Sequence, residues 1–239
     1  MSSDSVTRRG FLHQVSVGTA AAAAGTAAAA SAVQAAEAGA KLKIIGVSTS
    51  LRKGKTTAAA VQRVLEAAQA VAPERIEIEL IELAGLKMPV EILVGGTLEP
   101  GERDDFPAIA DKLAAPEVAG IVIGTPTYFA NMSSLCKAFL ERWMVFRKND
   151  FSLSNKVGGV IATGGSRDGG QELTIQSVQA SLMAQEMLIV GDGRPTAHFG
   201  PVVWNQGDDI SKDETGLKAA DNLGRRIGEL ALRLAGSAS

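Results

Sequence analysis

The sequence predicts an α/β fold: a doubly wound, five-stranded parallel sheet of order 2-1-3-4-5 with helices on both faces, spanning residues 41–235. Three observations point there. Short apolar runs without polar alternation recur between stretches of helical spacing, as buried parallel strands and their crossover helices do. Three turns rich in glycine and hydroxyl residues each follow the carboxyl end of a strand. The composition, 46% hydrophobic with 24 Lys plus Arg against 26 Asp plus Glu, is that of a globular chain with an ample core.

The first strand is Lys41 to Val47, an apolar run. Thr56 to Val71 then repeats apolar residues at helical spacing, and Pro73 ends that helix. Arg75 to Leu83 alternates charge with Ile and Leu, the pattern of an edge strand exposed on one face. Asp105 to Leu113 reads as a short helix capped by Asp104. Val118 to Gly124 is a central strand and Ser133 to Phe146 the helix after it. The unit repeats with strand Lys156 to Ala162 and helix Gln171 to Gln185, then strand Met187 to Val190 and a last helix from Glu214 to Leu234. Two connections, Ala84 to Arg103 and Gly191 to Asp213, are longer than such units need, as lids, binding loops and partner surfaces are.

Ahead of this domain, Thr7-Arg-Arg-Gly-Phe-Leu12 sets two arginines before a run, Val15 to Ala36, that holds no Lys, Arg, Asp or Glu. With small residues at Ala30-Ser-Ala32 and Val33-Gln-Ala-Ala36, residues 1–36 resemble a twin-arginine export signal cleaved near Ala35 or Ala36. The plainer readings are an alanine-rich tail or an uncleaved anchor. Export through that pathway implies a periplasmic or otherwise exported protein whose membrane contact is the signal alone.

The net charge of −2 argues against a surface built for nucleic-acid phosphates. The single cysteine, Cys136, cannot close an intramolecular disulfide or furnish the clustered thiolates of a zinc or iron–sulfur site, and reads as a buried small apolar residue. Only His13 and His198 occur, so no metal centre is expected.

In a sheet of this order, strands 1, 3 and 4 are neighbours, and the crevice where the winding reverses lies between strands 1 and 3. One ligand could touch the loops after all three. The first, Ser48 to Thr57, has the chemistry for a phosphate monoester. Ser48, Ser50, Thr56 and Thr57 offer hydroxyls, Arg52, Lys53 and Lys55 positive charge, Gly54 a close backbone approach, and the next helix its unpaired N–H groups. Gly54-Lys55-Thr56 is not a P-loop, because Thr49 stands where that motif needs glycine. A Ser/Thr-rich turn that merely caps the helix is the alternative. The second loop, Thr125 to Asn131, places Tyr128 and Phe129 after Pro126, as a wall for a flat ring or as ordinary core. The third, Thr163 to Gly170, has Gly164, Gly165, Gly169 and Gly170, whose backbone could approach a ring closely; an ordinary flexible turn is the alternative.

These segments, Ser50 to Thr57, Pro126 to Ser134 continuing through Lys137 to Arg142, and Gly164 to Glu172, resemble the signatures of the NADPH-dependent FMN reductase and iron–sulfur flavoprotein branch of the flavodoxin-like superfamily. The resemblance covers roughly Leu42 to Val190. It implies FMN as cofactor, NAD(P)H as electron donor, a small-molecule acceptor and a homodimer. By that resemblance Ser48, Ser50, Arg52, Lys55, Thr56 and Thr57 would hold the FMN phosphate. Pro126, Thr127, Tyr128 and Phe129, with Asn131 in the same loop, would lie along the isoalloxazine and ribityl chain. Thr163, Gly164, Gly165 and Ser166, with Gly169 and Gly170, would meet the ring's polar edge. One departure matters: iron–sulfur flavoproteins carry a compact cysteine cluster between strand 2 and the next helix, and Leu83 to Asp105 here contains none. A flavin-only protein remains, with that loop rebuilt as a dimer contact or a cover.

Since a flavin performs the electron chemistry itself, no general acid or base is nominated. His198, in the long loop with Arg194 and Trp204, reads as a surface or loop-packing residue, the alternative being a place on the substrate side of the flavin, and Lys137, Glu141 and Arg142 read as a solvated helix face and terminus. The resulting expectation is an NAD(P)H:acceptor oxidoreductase of the quinone or flavin reductase type. The alternatives are an exported flavodoxin-like electron carrier without its own NAD(P)H site, and a flavin-free fold binding another phosphorylated molecule.

Overall fold

In the computed structural model, which describes residues 41–237, five parallel strand positions stand in the predicted order. In chain order the elements are β1 (Leu42–Ser48), α1 (Thr56–Gln69), β2 (Ile76–Glu82), α2 (Phe106–Ala114), β3 (Val118–Tyr128), β4 (Asn131–Met132) and α3 (Ser134–Glu141). They continue with α4 (Met144–Lys148), β5 (Val157–Gly164), α5 (Gln171–Met183), β6 (Leu188–Ile189), β7 (Val202–Trp204) and α6 (Glu214–Gly236). The sheet runs β2-β1-β3-β5-β6, so β5 is the predicted fourth strand. The export signal proposed for residues 1–36 lies outside the described residues.

Successive side chains of a strand leave opposite faces, and the sheet uses this to build two cores. Ile44, Val122 and Ile161 pack under α1 and α6 with Val61, Leu65, Leu223 and Ile227. Ile45, Val47, Ile121 and Val160 pack on the other face with Phe106, Phe139, Trp143 and Ile175. β2 is the predicted edge, and its outward Glu77 and Glu79 pair with Lys41 at 3.0 Å and Lys43 at 3.3 Å. Charges on an exposed edge discourage further strand addition.

Four expectations are corrected. The second loop is not a loop at its start: β3 runs on to Tyr128, turns at Phe129-Ala130 and returns as β4. Pro126 is tolerated there because the Gly124 carbonyl, two residues earlier, faces β1 and accepts from Thr49 N. Pro126 faces the same side beyond the end of β1, so its missing N–H breaks no ladder. The Ser133–Phe146 helix breaks into α3 and α4, with tight three-residue bonds from Trp143 N to Leu140 O and from Phe146 N to Trp143 O. There Trp143 is wedged between Phe139 and Phe146, each 5.5 Å away between ring centroids.

Arg142 is not solvated. It is buried, donates to Asp104 Oδ2 at 2.6 Å and Pro89 O at 2.8 Å, and lies 4.6 Å from the Phe106 ring centroid. Burial works to raise the Asp104 carboxyl, but the bonds from Arg142 and Phe106 N and the guanidinium charge hold it below its usual range. Finally, the Gly191–Asp213 connection contains β7, which pairs with the far end of β5. The fifth strand is thus split: β6 pairs with Val157 and Gly158, β7 with Ala162 to Gly164, and the chain leaves the sheet between them.

Candidate functional site

The three predicted segments meet at the carboxyl ends of β1, β3 and β5. Ser48, Ser50, Thr56 and Thr57 are buried, whereas Leu51 to Lys55 form an exposed tip. The turn is pinned from below. Thr49 donates from both N and Oγ1 to Gly124 O, at 2.8 and 2.9 Å, and Ser133 Oγ donates to Thr49 O at 2.8 Å. Ser133 also caps α3, accepting from Cys136 N at 3.0 Å, so one hydroxyl ties the first turn to the helix behind the hairpin. Thr57 Oγ1 lies 2.8 Å from Thr163 Oγ1, joining the first and third segments across the buried strand ends.

The charged tip shows what it is suited to hold. α1 begins without a side-chain cap and without an acidic residue in its first turn, which leaves its positive end uncompensated by its own helix. Arg52 Nη1 and Lys55 Nζ both grip the Asp208 carboxylate, at 2.5 and 3.3 Å. The Arg52 hydrogen bond, followed by that of Lys55, holds the Asp208 carboxyl below its usual range. An anion thus already bridges the two cations; a phosphate dianion suits the same donors better. Asp208 lies in the connection after β7 and was not anticipated, because a residue about 150 positions from its partners leaves no local signal.

Tyr128 is half exposed and Phe129 fully exposed, so neither is core. Phe129 and Ala130 both adopt left-handed φ, 51° and 58°, as a two-residue hairpin requires and as neither residue favours. Asn131 Oδ1 accepts from Met132 N at 2.8 Å and steadies the return strand. Thr127 Oγ1, in the same segment, is buried and without a hydrogen-bond partner.

Thr163 and Gly164 end β5, and Gly165, Ser166 and Gly169 are exposed beyond it. The buried Gln171 holds this turn: its Oε1 accepts from Gly169 N at 2.8 Å and its Nε2 donates to Ser166 O. Trp204 Nε1 donates to Gly165 O at 3.1 Å, so β7 braces the turn from outside. At Gly170, φ is 89° and a Cβ would overlap Ala130, so only glycine lets the third segment lie against the hairpin. Arg167 pairs with the buried Asp213, which also accepts from Trp204 N at 2.6 Å and Gly216 N at 3.0 Å as the cap of α6.

A parallel sheet of this order, with ligand-side loops gathered beside the reversal between β1 and β3, defines a flavodoxin-like protein. The fold is shared with a flavodoxin, WrbA-like protein from Agrobacterium tumefaciens, at a TM-score of 0.56 and 18% identity over 81% of this chain and 99% of that one. The chain belongs to the NADPH-dependent FMN reductase family, whose model matches residues 42–201. FMN is accordingly its cofactor and FMN reductase-like oxidoreduction its class of reaction. Among curated proteins it is 39% identical over 194 residues to an iron-sulfur flavoprotein of Methanocaldococcus jannaschii, covering 79% of this chain and 97% of that one. It is 38% identical over 142 residues to an NAD(P)H dehydrogenase (quinone) of Paracoccus denitrificans, covering 57% and 61%.

The uncapped α1 terminus, the cation pair already holding a carboxylate and the orphaned Thr127 hydroxyl fit FMN. An iron–sulfur cluster does not fit. Its ligands are clustered thiolates, and the one cysteine in the sequence, Cys136, is fully buried. Burial pushes its thiol up to about 11, against smaller lowering contacts from Thr49 and Thr125.

Proposed function

We propose that the chain is an NAD(P)H:acceptor oxidoreductase that carries electrons from a reduced nicotinamide through FMN to quinones, free flavin or other small oxidants after export. The observation that carries this reading is the Arg52–Lys55 pair closing on a carboxylate beside the uncapped end of α1. In it, Ser48, Ser50, Arg52, Lys55, Thr56 and Thr57 hold the FMN phosphate. Pro126, Thr127, Tyr128, Phe129 and Asn131 flank the ring system and ribityl chain. The turn of Thr163, Gly164, Gly165, Ser166, Gly169 and Gly170 meets the ring's polar edge. When bound, FMN supplies the hydride and single-electron chemistry. The chain's own residues orient it and limit access. The quinone dehydrogenase of Paracoccus denitrificans supports the choice of acceptor by its name alone.

The test is an absorbance spectrum of the protein purified from the periplasmic fraction, before and after anaerobic NADPH or NADH. Flavin bands that bleach promptly are expected. Flavin that bleaches only with dithionite would turn the reading to an electron carrier, which the exposed apolar rim of Leu51, Tyr128 and Phe129 favours as a protein-docking surface. The export reading, with the homodimer that the resemblance implies, is tested separately: Arg8→Lys with Arg9→Lys should leave the protein in the cytoplasm, and light scattering should give twice the chain mass.

A further inference from the structure

We propose that Ser133 is a positioning residue for the FMN phosphate: by holding the Thr49 carbonyl from behind, it aims the Ser50 backbone N–H at the ligand. The inference rests on the FMN reading above and names the residue that sets the backbone of that site. Ser133 is buried behind the first turn and is itself fixed by three hydrogen bonds. Its N donates to Thr125 Oγ1 at 3.1 Å, its Oγ accepts from Cys136 N at 3.0 Å, and its Oγ donates to Thr49 O at 2.8 Å. The polarity is unambiguous. A backbone N–H can only donate and a carbonyl can only accept, so the Ser133 hydroxyl hydrogen goes to Thr49 O.

Thr49 in turn has every polar atom committed. Its N and Oγ1 donate to Gly124 O, at 2.8 and 2.9 Å, and its carbonyl goes to Ser133. The peptide bond between Thr49 and Ser50 is trans, since the cis bond among the described residues is Arg194–Pro195. In a planar trans peptide the C=O and the following N–H point in opposite directions. With the Thr49 carbonyl drawn back to the start of α3, the Ser50 N–H is directed away from α3.

That N–H has no hydrogen-bond partner among the described residues, although Ser50 is only 4% exposed. Buried backbone donors without a partner are rare in folded proteins. Two other amides of the turn are already spent: Arg52 N donates to Ser50 Oγ at 3.1 Å, and Gly54 N to Glu82 Oε2 at 2.6 Å. Gly54, the residue whose backbone was expected to approach a phosphate, thus turns its N–H to the end of β2, and Ser50 supplies the donor instead. The hydroxyls of Ser48 and Thr56, on buried residues at either end of the turn, likewise make no hydrogen bond among the described residues. Donors left unspent along one turn suit an acceptor with several oxygens, as a phosphate monoester is.

The test uses the full chain stripped of flavin. Riboflavin is FMN without its phosphate, so the ratio of the two affinities, each read by fluorescence quenching, isolates the phosphate contact. With Ser133→Ala, FMN and inorganic phosphate should bind about tenfold more weakly, as for the loss of one hydrogen bond to a charged group, while riboflavin stays within about twofold. The same substitution removes the cap of α3, which by itself would loosen both flavins alike. Equal losses for FMN and riboflavin, or no loss of FMN, therefore overturn the proposal. Ser133→Thr keeps the hydroxyl and the cap and should return the ratio to within about twofold of the parent. A further readout needs no variant: the Ser50 amide resonance of the parent should move as inorganic phosphate is added. A Ser50 amide that stays still while the parent binds phosphate overturns this proposal and leaves the FMN reading standing. A parent that binds neither FMN nor phosphate overturns both.

Discussion

Val61 is the residue through which α1, and with it the first turn, is seated on the sheet. It sits in a notch made by two glycines on adjacent strands, Gly46 and Gly124, and is fully buried. A Cβ at Gly124 would overlap Val61 Cγ2 and come within 3.4 Å of both Ile161 Cγ2 and Thr57 Cγ2. The φ of Gly124 is not positive, so the backbone itself accepts alanine, and the lower entropy of the unfolded chain returns about 0.4–1 kcal/mol. Val61 cannot rotate away, because a β-branched side chain on a helix has one strongly preferred rotamer. Gly124→Ala should therefore lift α1 and cost about 1–3 kcal/mol as overpacking. Val61→Ala removes two methyl groups and should cost about 2 kcal/mol. If the Val61 methyl is the obstacle, the double variant should cost no more than Val61→Ala alone, a coupling of about 1–3 kcal/mol. Urea midpoints at unchanged slope measure all four corners of the cycle. Gly124→Ala alone should also release FMN more readily, since Thr57 and Thr56 ride on the displaced helix. Costs that add to within about 0.5 kcal/mol would show that Gly124 serves something other than the seat of α1.

Asp208→Asn removes the internal anion from Arg52 and Lys55, so the flavin-free protein should bind inorganic phosphate and FMN severalfold more tightly, most clearly at low salt; calorimetry that finds unchanged affinity would mean the carboxylate does not compete. Arg142→Met strands the buried Asp104 carboxylate and should cost about 3–5 kcal/mol in urea, with Asp104→Asn in the same chain recovering a large part. Lys156 donates to Ala115 O at 2.9 Å and Val118 O at 2.7 Å, and burial lowers its pKa from 10.5 to about 8. The unfolded chain then binds more protons than the folded one between those values. Stability should accordingly rise by about 1–3 kcal/mol from pH 8 to 10.5 relative to Lys156→Met, with the penalty in full below pH 8. A flat difference between the two urea series would contradict that. Cys136 should resist iodoacetamide in the native protein and react only on unfolding, as a thiol held up to about 11 and fully buried must.

The sheet order was legible because each buried strand is a continuous apolar run and each crossover carries its own helical period. That the three candidate segments meet was legible for the same reason: they follow strand ends in a topology where strand ends converge. What escaped is instructive in physical terms. β6 and β7 have two and three residues each, too short for any period, and exist because β5 offers them a ladder. The Phe129-Ala130 turn lacks the Asn-Gly chemistry that announces such hairpins, and Gly170 from another loop lies directly against it. Arg142 looked like a helix-surface cation because only the fold brings Asp104 to it. Asp192, which holds His198, and Asp208, which bridges Arg52 and Lys55, lie in a connection that sequence marks only as long.

The split fifth strand separates two evolutionary burdens. The segment that carries Asp192 and His198 leaves the sheet at Ile189 opposite Gly158 and rejoins it at Val202 opposite Ala162. Its feet therefore stand four residues apart on β5, about 13 Å along one rigid strand. Lengthening, shortening or exchanging what hangs between them leaves both ladders in register and the Ser48–Thr57 turn untouched. A lineage, or an engineer, can thus rewrite the excursion at the sheet edge without renegotiating the turn at the strand ends.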